Sequence, residues 1–261
     1  VYDKPMIYYP LTTLMNAGIK EFLLITNNDY IDSFKRLLGN GNQFGISIKY
    51  AIQDNPNGIA EAFLIGEDFI KGNPVALILG DNLFNGEQLD NVLKNISDDD
   101  EGGIIFGYSV SNPKDYGVVE FDSNNKVINI DEKPKRPLSK WAITGLYFYD
   151  QTIIEKAKKI KPSNRGELEI TDLNNLYLKE GSLKVELMRP GTAWLDTGNP
   201  DSLLDAGSYI KTLEKRQGLK VGCPEELAWR LGYINNSELE AIANKLIKTS
   251  YGQYLKNLIV E

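Results

Sequence analysis

Asp81 and Asp196 are two aspartates whose positions suit the binding of a metal ion. Asp81 follows the apolar run 75–79 and a glycine, and Asp196 lies in a Trp-Leu-Asp-Thr-Gly segment ahead of a long amphipathic pattern. In an open parallel sheet, ligands bind outside the carboxyl ends of the strands. Two carboxylates that converge from separate strand ends suit Mg²⁺, which would neutralise charge in a phosphoryl-type transfer. On spacing alone, a turn at Asp81 and a helix cap at Asp196 are the simpler interpretation.

Three further polar segments could contact a ligand. Gln53 to Gly58 follow a strand and open a helix, whose N-terminal N–H groups could face an anion or the edge of a base. Glu132 and Lys133 end a strand and could bind sugar hydroxyls and a phosphate, although a solvated turn is the simpler interpretation. Arg165 precedes a helix and could hold a phosphate through two parallel hydrogen bonds, although a single loop arginine is more often solvated.

The residue inventory restricts the chemistry that these 261 residues can perform. They include no histidine and one cysteine, Cys223. This excludes Ser-His-Asp and Cys-His catalysis, histidine-bound zinc and a histidyl intermediate, and it leaves carboxylates, lysines, arginines, amides and an oxygen-binding metal. Four acidic residues at 98–101 are interpreted as a solvated loop, because adjacent carboxylates repel and lack the alternate spacing of a calcium loop.

The charge and hydropathy of the chain restrict the kinds of partner that it can bind. Lysine and arginine total 29 against 36 aspartates and glutamates, a net charge of −7. An acidic chain without basic clusters predicts no nucleic-acid partner. No apolar run approaches the length of a bilayer span, which predicts no membrane partner. A single cysteine suits a reducing compartment, and the predicted location is the cytoplasm.

The elements that would position these residues alternate between helical and strand patterns. Helices are predicted from 5 to 18, 31 to 38, 58 to 69 and 89 to 96, with strands at 22–26, 46–52, 75–79 and 104–110 between them. This spacing predicts βαβ units and a mostly parallel sheet. After residue 116 the pattern predicts a β-hairpin (118–130), strands at 143–149 and 183–188, and helices at 151–160, 169–180, after 196 and from 224 to 259. The predicted fold class is therefore α/β, with a Rossmann-like, mostly parallel mixed sheet flanked by helices.

Seven motifs occur in the order typical of one enzyme family: VYDKPMIYYP (1–10), GDN (80–82), YGVV (116–119), EKP (132–134), TGLYFYD (144–150), RGELEITD (165–172) and WLDTG (194–198). Over essentially its whole length, the chain resembles the glucose-1-phosphate thymidylyltransferases, which are sugar nucleotidyltransferases. Two further segments, EKRQG (214–218) and GCPEELAWR (222–230), are similar to this branch of the larger family. The resemblance implies a nucleotidyltransferase domain at residues 1–217, a hairpin that binds sugar, and a helical appendage at residues 218–261.

The resemblance also implies roles for individual residues at the metal and the base. Asp81 and Asp196 would bind the catalytic Mg²⁺, which outweighs the turn-and-cap interpretation. Gln53 and Gly58 match positions that read the thymine, where an amide offers one donor and one acceptor to the base edge.

At the sugar phosphate, the resemblance implies a second set of contacts. Tyr116, Gly117, Glu132 and Ile143 match substrate positions, of which the last three contact the glucose. Lys133 and Arg165 match positions that bind phosphate groups, and Lys133 is also expected to be catalytic.

The implied substrates are dTTP and glucose 1-phosphate, and the implied assembly is a homotetramer. A first helix with no strand ahead of it leads us to expect that a strand and a Gly-rich phosphate-binding loop precede Val1. Two alternatives stay open at this point. A uridylyltransferase would share the fold and metal site but differ around Gln53, and a nucleotide-sugar sensor would keep the fold without the chemistry.

Overall fold

The computed structural model describes residues 1–96 and 101–260, so the predicted acidic loop lies outside the described residues except for Glu101. Within them no helix is both long and apolar enough to cross a bilayer. The α-helices are α1 (Tyr8–Asn16), α2 (Ile31–Leu38), α3 (Glu61–Ile65), α4 (Glu67–Ile70), α5 (Glu87–Lys94), α6 (Ile153–Ala157), α7 (Ile170–Glu180), α8 (Pro200–Gln217), α9 (Pro224–Arg230), α10 (Asn236–Lys245) and α11 (Ser250–Asn257). The strands are β1 (Glu21–Thr26), β2 (Ser47–Ile52), β3 (Val75–Ile78), β4 (Asn82–Asn85), β5 (Gly103–Ser109), β6 (Gly117–Phe121), β7 (Val127–Glu132), β8 (Trp141–Tyr149), β9 (Leu183–Leu187) and β10 (Ala193–Asp196).

The strands form one large mixed sheet and two small ones. The large sheet has the order β7-β6-β8-β5-β9, and β3 also pairs with β8. Strands β1 and β2 form a parallel pair, and β4 and β10 form an antiparallel ribbon. The predicted α/β class with a mixed sheet flanked by helices is confirmed, and the predicted hairpin is formed by β6 and β7.

The proportion of parallel pairing is smaller than the sequence predicts. Only β1–β2 and β5–β9 are parallel, and the other pairings among the described residues are antiparallel. The physical reason is the nine-residue strand β8, which enters between β3 and β5 in the opposite direction. Its apolar composition matches a strand that is covered on both faces, but composition does not encode strand direction.

Strand β8 separates two buried layers of side chains. Ile143 and Tyr147 belong to a cluster that packs against α3, α6 and α7, and Ala142 and Leu146 belong to a cluster that packs against α5 and β4. Successive side chains on a strand point to opposite faces, so this strand contributes to both layers. The residues at the ends of the neighbouring strands are therefore held in fixed positions relative to β8.

One helical prediction is altered by glycine and turn residues. The helix predicted over 58–69 begins only at Glu61 and is divided into α3 and α4 at Gly66. Residues 57–60 instead form a loop that is fixed by backbone hydrogen bonds to Leu168. The helical C-terminus is present as the three helices α9, α10 and α11. The domain boundary at residue 217 stays a prediction.

The C-terminal helices pack against the first helix. One buried cluster combines Leu11 and Met15 of α1 with Ala228 of α9, Leu239 of α10 and Leu255 of α11. Each of these side chains is nearly or fully inaccessible to solvent. Burial of this kind contributes roughly 1.5–3 kcal/mol for each large aliphatic side chain. The C-terminal helices therefore complete a core that begins in α1.

A buried ion pair anchors the first residues of the chain to α8. Lys4 Nζ lies 2.6 Å from Glu214 Oε1, and both side chains are almost fully buried. Lys4 also contacts Asp3 and the hydroxyl of Tyr9. Removal of one partner would leave an unpaired buried charge, which typically costs about 3–5 kcal/mol.

Asp150 joins the end of β8 to α6 and α7. Its carboxylate accepts hydrogen bonds from Gly102 N (2.8 Å), Thr152 N (3.0 Å), Thr152 Oγ1 (2.5 Å) and the Tyr177 hydroxyl (3.0 Å). Burial alone would raise the pKa of Asp150, but these hydrogen bonds outweigh burial and hold the pKa below its ordinary value of 3.8. The ionised form is therefore the stabilising one.

We expect Asp150→Asn to lower the free energy of unfolding by about 1.5–3 kcal/mol near pH 7, because a hydrogen-bonded charged acceptor is lost. A folded-state pKa below the unfolded one gives stability that is complete above the unfolded pKa and is lost as pH falls through the folded one. The difference in the free energy of unfolding between the variant and the unaltered protein should therefore shrink in acid. Urea unfolding from about pH 7 to about pH 3 measures it. Asp29→Asn, at an exposed aspartate in the turn before α2, is the control, and an equal deficit there would contradict the assignment.

Candidate active site

Asp81 and Asp196 are brought together by the β4–β10 ribbon. Asp81 precedes β4, Asp196 ends β10, and the ribbon pairs Asp196 with Asn82. Thr197 fixes the junction, because its N and Oγ1 both donate to the Asp81 carbonyl oxygen, at 2.9 and 2.8 Å. The predicted convergence of the two aspartates therefore arises through an antiparallel ribbon rather than through two ends of one parallel sheet.

The two carboxylates face a common space beside Gly198. A Cβ atom at Gly198 would lie 3.1 Å from Asp196 Oδ1 and 3.5 Å from Asp81 Oδ2. The Gly198 amide donates to Asp196 Oδ1 at 3.0 Å. No cluster of three or more acidic, cysteine or histidine ligands exists in the described part of the chain. A pair of carboxylate donors with open space beside them fits Mg²⁺, which proteins usually hold by one or two carboxylates, with substrate phosphates and water as further ligands.

Asn82 is a buried residue that connects three strands around this pair. Its Nδ2 donates to Asp81 Oδ1 at 2.8 Å. Its Oδ1 accepts from Trp194 Nε1 at 2.6 Å and from Gly145 N at 3.0 Å. A Cβ at Gly145 would lie 2.7 Å from Asn82 Oδ1, so the close approach requires glycine. Asn82 therefore holds Asp81 in one orientation.

The local electrostatics reflect the proximity of the two acids. Burial raises the pKa of Asp196, the hydrogen bond from Gly198 partly offsets this rise, and the Asp81 carboxylate adds to it. Burial, followed by the charge of Asp196, also raises the pKa of Tyr116. The Tyr116 ring packs edge-on against Trp194, with 5.2 Å between centroids. A cation at this pair would relieve the repulsion between the carboxylates.

The residues predicted to contact the sugar lie together. Gly117 of β6 pairs with Glu132 of β7. A Cβ at Gly117 would lie 3.2 Å from Thr171 Oγ1, 3.4 Å from Ile143 Cδ1 and 3.5 Å from Glu132 Oε2. Thr171 donates to Glu132 Oε2 at 2.5 Å. Three predicted residues and one unpredicted residue, Thr171, thus line one small surface.

Lys133 and Arg165 bring positive charge to the edge of that surface. Lys133 is a non-glycine residue with a positive φ of 45°, a strained conformation that is fixed by its N–H donating to Tyr116 O at 3.0 Å. Its charge opposes part of the rise that burial causes in the pKa of Asp196. Arg165 Nη2 lies 3.6 Å from Glu132 Oε1. Lys133 therefore lies near the predicted metal pair, and Arg165 lies near the predicted sugar position.

Gln53 and Gly58 lie on the loop that follows β2. Gln53 Nε2 donates to Glu61 Oε2 at 2.7 Å and to Gly58 O at 3.2 Å. Both amide hydrogens therefore have acceptors within the protein, and Oε1 is the group left for a ligand. Gly58 has a φ of 105°, and a Cβ there would lie 2.3 Å from Leu168 O.

The loop 163–169 links the base-side and sugar-side residues. Leu168 N donates to Asn57 O at 2.6 Å, and Ala60 N donates to Leu168 O at 3.2 Å. A cleft of about 730 Å³ lies between β1 and β3. Gln53 and Gly80 are among the residues that line it, and Gly80 directly precedes Asp81. The ten predicted site residues thus form three groups: Asp81 and Asp196 at the ribbon; Gln53 and Gly58 on the loop after β2; and Tyr116, Gly117, Glu132, Lys133, Ile143 and Arg165 around the hairpin and β8.

Four residues with contacts at the site do not follow from residue types and spacing: Asn82, Glu61, Glu169 and Thr171. Three of them lie inside the motifs GDN (80–82) and RGELEITD (165–172). A motif marks the neighbourhood of a site, but it does not show which of its polar residues faces another functional side chain.

Comparison with known proteins identifies the family of the chain. The family model described as nucleotidyl transferase matches residues 1–212. A Neisseria meningitidis protein named glucose-1-phosphate thymidylyltransferase is 52% identical over 259 residues, covering 99% of this chain and 90% of that protein. A Mycobacterium tuberculosis protein of the same name is 53% identical with the same coverage.

Solved structures lead to the same family. A Bacillus anthracis protein described as a glucose-1-phosphate thymidylyltransferase aligns with a TM-score of 0.73 and 38% identity, over 80% of this chain and 83% of that chain. A UDP-glucose pyrophosphorylase complexed with UDP-glucose aligns with a TM-score of 0.67 and shares the fold at 24% identity. The chain belongs to the nucleotidyl transferase family of enzymes, and within it to the group of the glucose-1-phosphate thymidylyltransferases.

Proposed function

We propose that the protein transfers a thymidylyl group from dTTP to glucose 1-phosphate and releases pyrophosphate. The observation that carries this proposal is the convergence of Asp81 and Asp196 beside Gly198, in the same fold as the Gly117–Glu132–Ile143 surface. The names of relatives that are about half identical over nearly the whole chain support the choice of substrates.

In the proposed reaction, an oxygen of the sugar phosphate attacks the α-phosphorus of dTTP in line. A new oxygen–phosphorus bond forms, and the bond from the α-phosphorus to the bridging oxygen of pyrophosphate breaks. The nucleophile is already an anion near neutral pH, so no protein group has to remove a proton. This agrees with a chain that contains no histidine. Positioning and charge neutralisation would supply the rate.

Asp81 and Asp196 are the residues that would hold Mg²⁺. When bound, Mg²⁺ would neutralise negative charge on the triphosphate and on the departing pyrophosphate. Lys133 lies close enough to influence the pKa of Asp196, and we assign it to the phosphate groups around the reacting centre. Asn82 would keep Asp81 directed towards the shared space.

The remaining residues would select and orient the two substrates. Glu132 is held by Thr171 and would accept hydrogen bonds from glucose hydroxyls, while Gly117 leaves room for the sugar ring. Arg165 would bind the phosphate of the sugar phosphate, because it lies beside Glu132. Gln53 and Gly58 would contact the thymine.

A substrate panel on the full-length protein tests the proposal. We expect pyrophosphate release with dTTP, glucose 1-phosphate and Mg²⁺ together, and little with any one omitted. Higher turnover with UTP than with dTTP would instead indicate a uridylyltransferase. Binding of nucleotide sugar without pyrophosphate release would indicate a sensor. We further propose that the enzyme acts in the cytoplasm as a homotetramer, with no nucleic-acid or membrane partner, and sedimentation measures the assembly.

We expect Gln53→Ala to raise the KM for dTTP by about tenfold while the KM for glucose 1-phosphate changes little. When a polar atom of the base loses its hydrogen-bond partner, the loss typically costs about 1–3 kcal/mol of binding free energy. The variant also removes the amide that holds Glu61, so Glu61→Gln serves as the control for the loop. Initial rates with each substrate varied in turn give both constants. A change confined to the sugar phosphate would contradict this placement of Gln53.

A further inference from the structure

We propose that Glu169 is a positioning residue, which holds the Arg165 guanidinium in the orientation that receives the phosphate of the sugar substrate. The inference rests on the proposed function, because it takes Arg165 as the phosphate ligand. It concerns a residue that would touch neither substrate and would act through the arginine.

The contact between the two side chains is a two-point fork. Arg165 Nε donates to Glu169 Oε1 at 3.1 Å, and Arg165 Nη2 donates to Glu169 Oε2 at 2.8 Å. The Glu169 side chain is 9% exposed, whereas that of Arg165 is 41% exposed. Two parallel charge-assisted hydrogen bonds fix the plane of a guanidinium as well as its position. The buried Glu169 carboxylate therefore holds the partly exposed Arg165 guanidinium from its buried side.

The local backbone shows that Glu169 is not used as an ordinary helix cap. It occupies the N-cap position of α7 with an extended conformation, yet its side chain accepts no hydrogen bond from the first turn of the helix. Ser163 Oγ instead donates to Glu169 Oε1 at 2.6 Å. An N-cap carboxylate commonly accepts from the backbone N–H two or three residues later. Here both oxygens are directed to Arg165 and its loop.

Two other carboxylates lie near Arg165 Nη2, at longer distances than the Glu169 carboxylate. Glu167 Oε2 lies 3.3 Å and Glu132 Oε1 lies 3.6 Å from Arg165 Nη2. The third nitrogen, Nη1, makes no hydrogen bond within the part of the chain that the structure describes. A phosphate can therefore bind at Nη1 while the fork to Glu169 stays intact, and Glu169 keeps the cation from turning towards solvent.

A different role for Glu169, competition with the substrate phosphate for Arg165, predicts the opposite change in the KM for glucose 1-phosphate. If Glu169 competed with phosphate for Arg165, its neutralisation would tighten the binding of glucose 1-phosphate. If it positions Arg165, Glu169→Gln should raise the KM for glucose 1-phosphate by about tenfold, because a guanidinium that is no longer oriented loses the advantage of preorganisation. The KM for dTTP should change by less than about twofold, since the base side uses other residues.

The test is a double-mutant cycle of Glu169→Gln with Arg165→Ala in the full-length protein, with both KM values measured. We expect Arg165→Ala to raise the KM for glucose 1-phosphate more than Glu169→Gln does, and the double variant to match Arg165→Ala alone. Glu167→Gln, which removes the same charge from beside the same nitrogen, is the matched control and should change the KM by less than about twofold. Ser163→Ala, which keeps the ion pair, should raise the KM by about two- to threefold and covers the case in which Glu169→Gln fails to fold.

Four outcomes would overturn the positioning role. These are a lower KM for Glu169→Gln, additive effects in the double variant, equal effects of Glu167→Gln and Glu169→Gln, and an unchanged KM for Ser163→Ala. If Arg165→Ala leaves the KM for glucose 1-phosphate unchanged, the assignment of phosphate to Arg165 is also wrong. That result is distinguishable from a failure of Glu169 alone, and catalysis of the overall reaction is tested separately by the substrate panel.

Discussion

Asp81→Asn and Asp196→Asn should each reduce turnover by about a hundredfold or more while the fold is retained. Both carboxylates face the space beside Gly198, and each would contribute one charged oxygen to a divalent cation. An amide has nearly the same shape but no charge, so it neutralises less of the triphosphate field and binds the cation weakly. Because removal of a single preorganised electrostatic contact costs about a hundred- to a thousandfold in other enzymes, a loss of that size is expected here.

Two measurements separate a metal role from a structural one. Titration with paramagnetic Mn²⁺ should show one site in the unaltered protein, and a much weaker site in either variant. Asp201→Asn, in the exposed first turn of α8, is the matched control and should keep both metal binding and turnover. Near-normal turnover with Mg²⁺ in either variant of the pair would show that the metal assignment is wrong.

Gly58→Ala should lower the efficiency with dTTP by at least about tenfold and destabilise the fold by about 2–4 kcal/mol. The residue has a φ of 105°, and a Cβ would lie 2.3 Å from Leu168 O and 2.5 Å from Leu168 N. Backbone strain of this kind costs about 1–3 kcal/mol, and the clash adds an overpacking cost of similar size. The loop must therefore move away from Leu168, and it carries with it the carbonyl that Gln53 contacts.

Gly72→Ala distinguishes the clash from the backbone effect. Gly72 also has a positive φ, 73°, but a Cβ there would meet nothing within 4 Å. It should therefore show only the conformational cost, about 1 kcal/mol, and unaltered kinetics. Urea unfolding and steady-state rates on both variants complete the comparison. Equal losses of stability in the two variants would contradict the close contact with Leu168.

The structure brings the residues predicted for the sugar close together because they lie on adjacent strands of a hairpin and its neighbour. Gly117 and Glu132 are paired in the predicted β6–β7 hairpin, and Ile143 lies on β8, which pairs with β6; all three are assigned to the sugar through the family resemblance. A hairpin is a local structure, and its register is fixed by a short turn. Contacts of this kind are accessible to pattern analysis.

The sequence predicted the convergence of Asp81 and Asp196 but not the ribbon that brings them together. Strands β4 and β10 have four residues each and lie about a hundred residues apart, so neither gives a periodic signal long enough to identify. The same limit applies to the fork between Arg165 and Glu169. Their spacing fits a helix face as well as a loop, and only the conformation at Glu169 shows which applies.

The contact between the first helix and the last ones has a consequence for synthesis on the ribosome. Lys4 and Glu214 are 210 positions apart, and the core between α1 and α9–α11 spans a similar separation. At about 5–20 residues per second, α1 emerges on the order of ten to forty seconds before its partners. The part of α1 that packs against α9–α11 lacks these partners throughout that interval, when a nascent chain is prone to aggregate or to be captured by a chaperone. Contacts so distant in the chain also slow folding, and this core closes only after α11 has been synthesised.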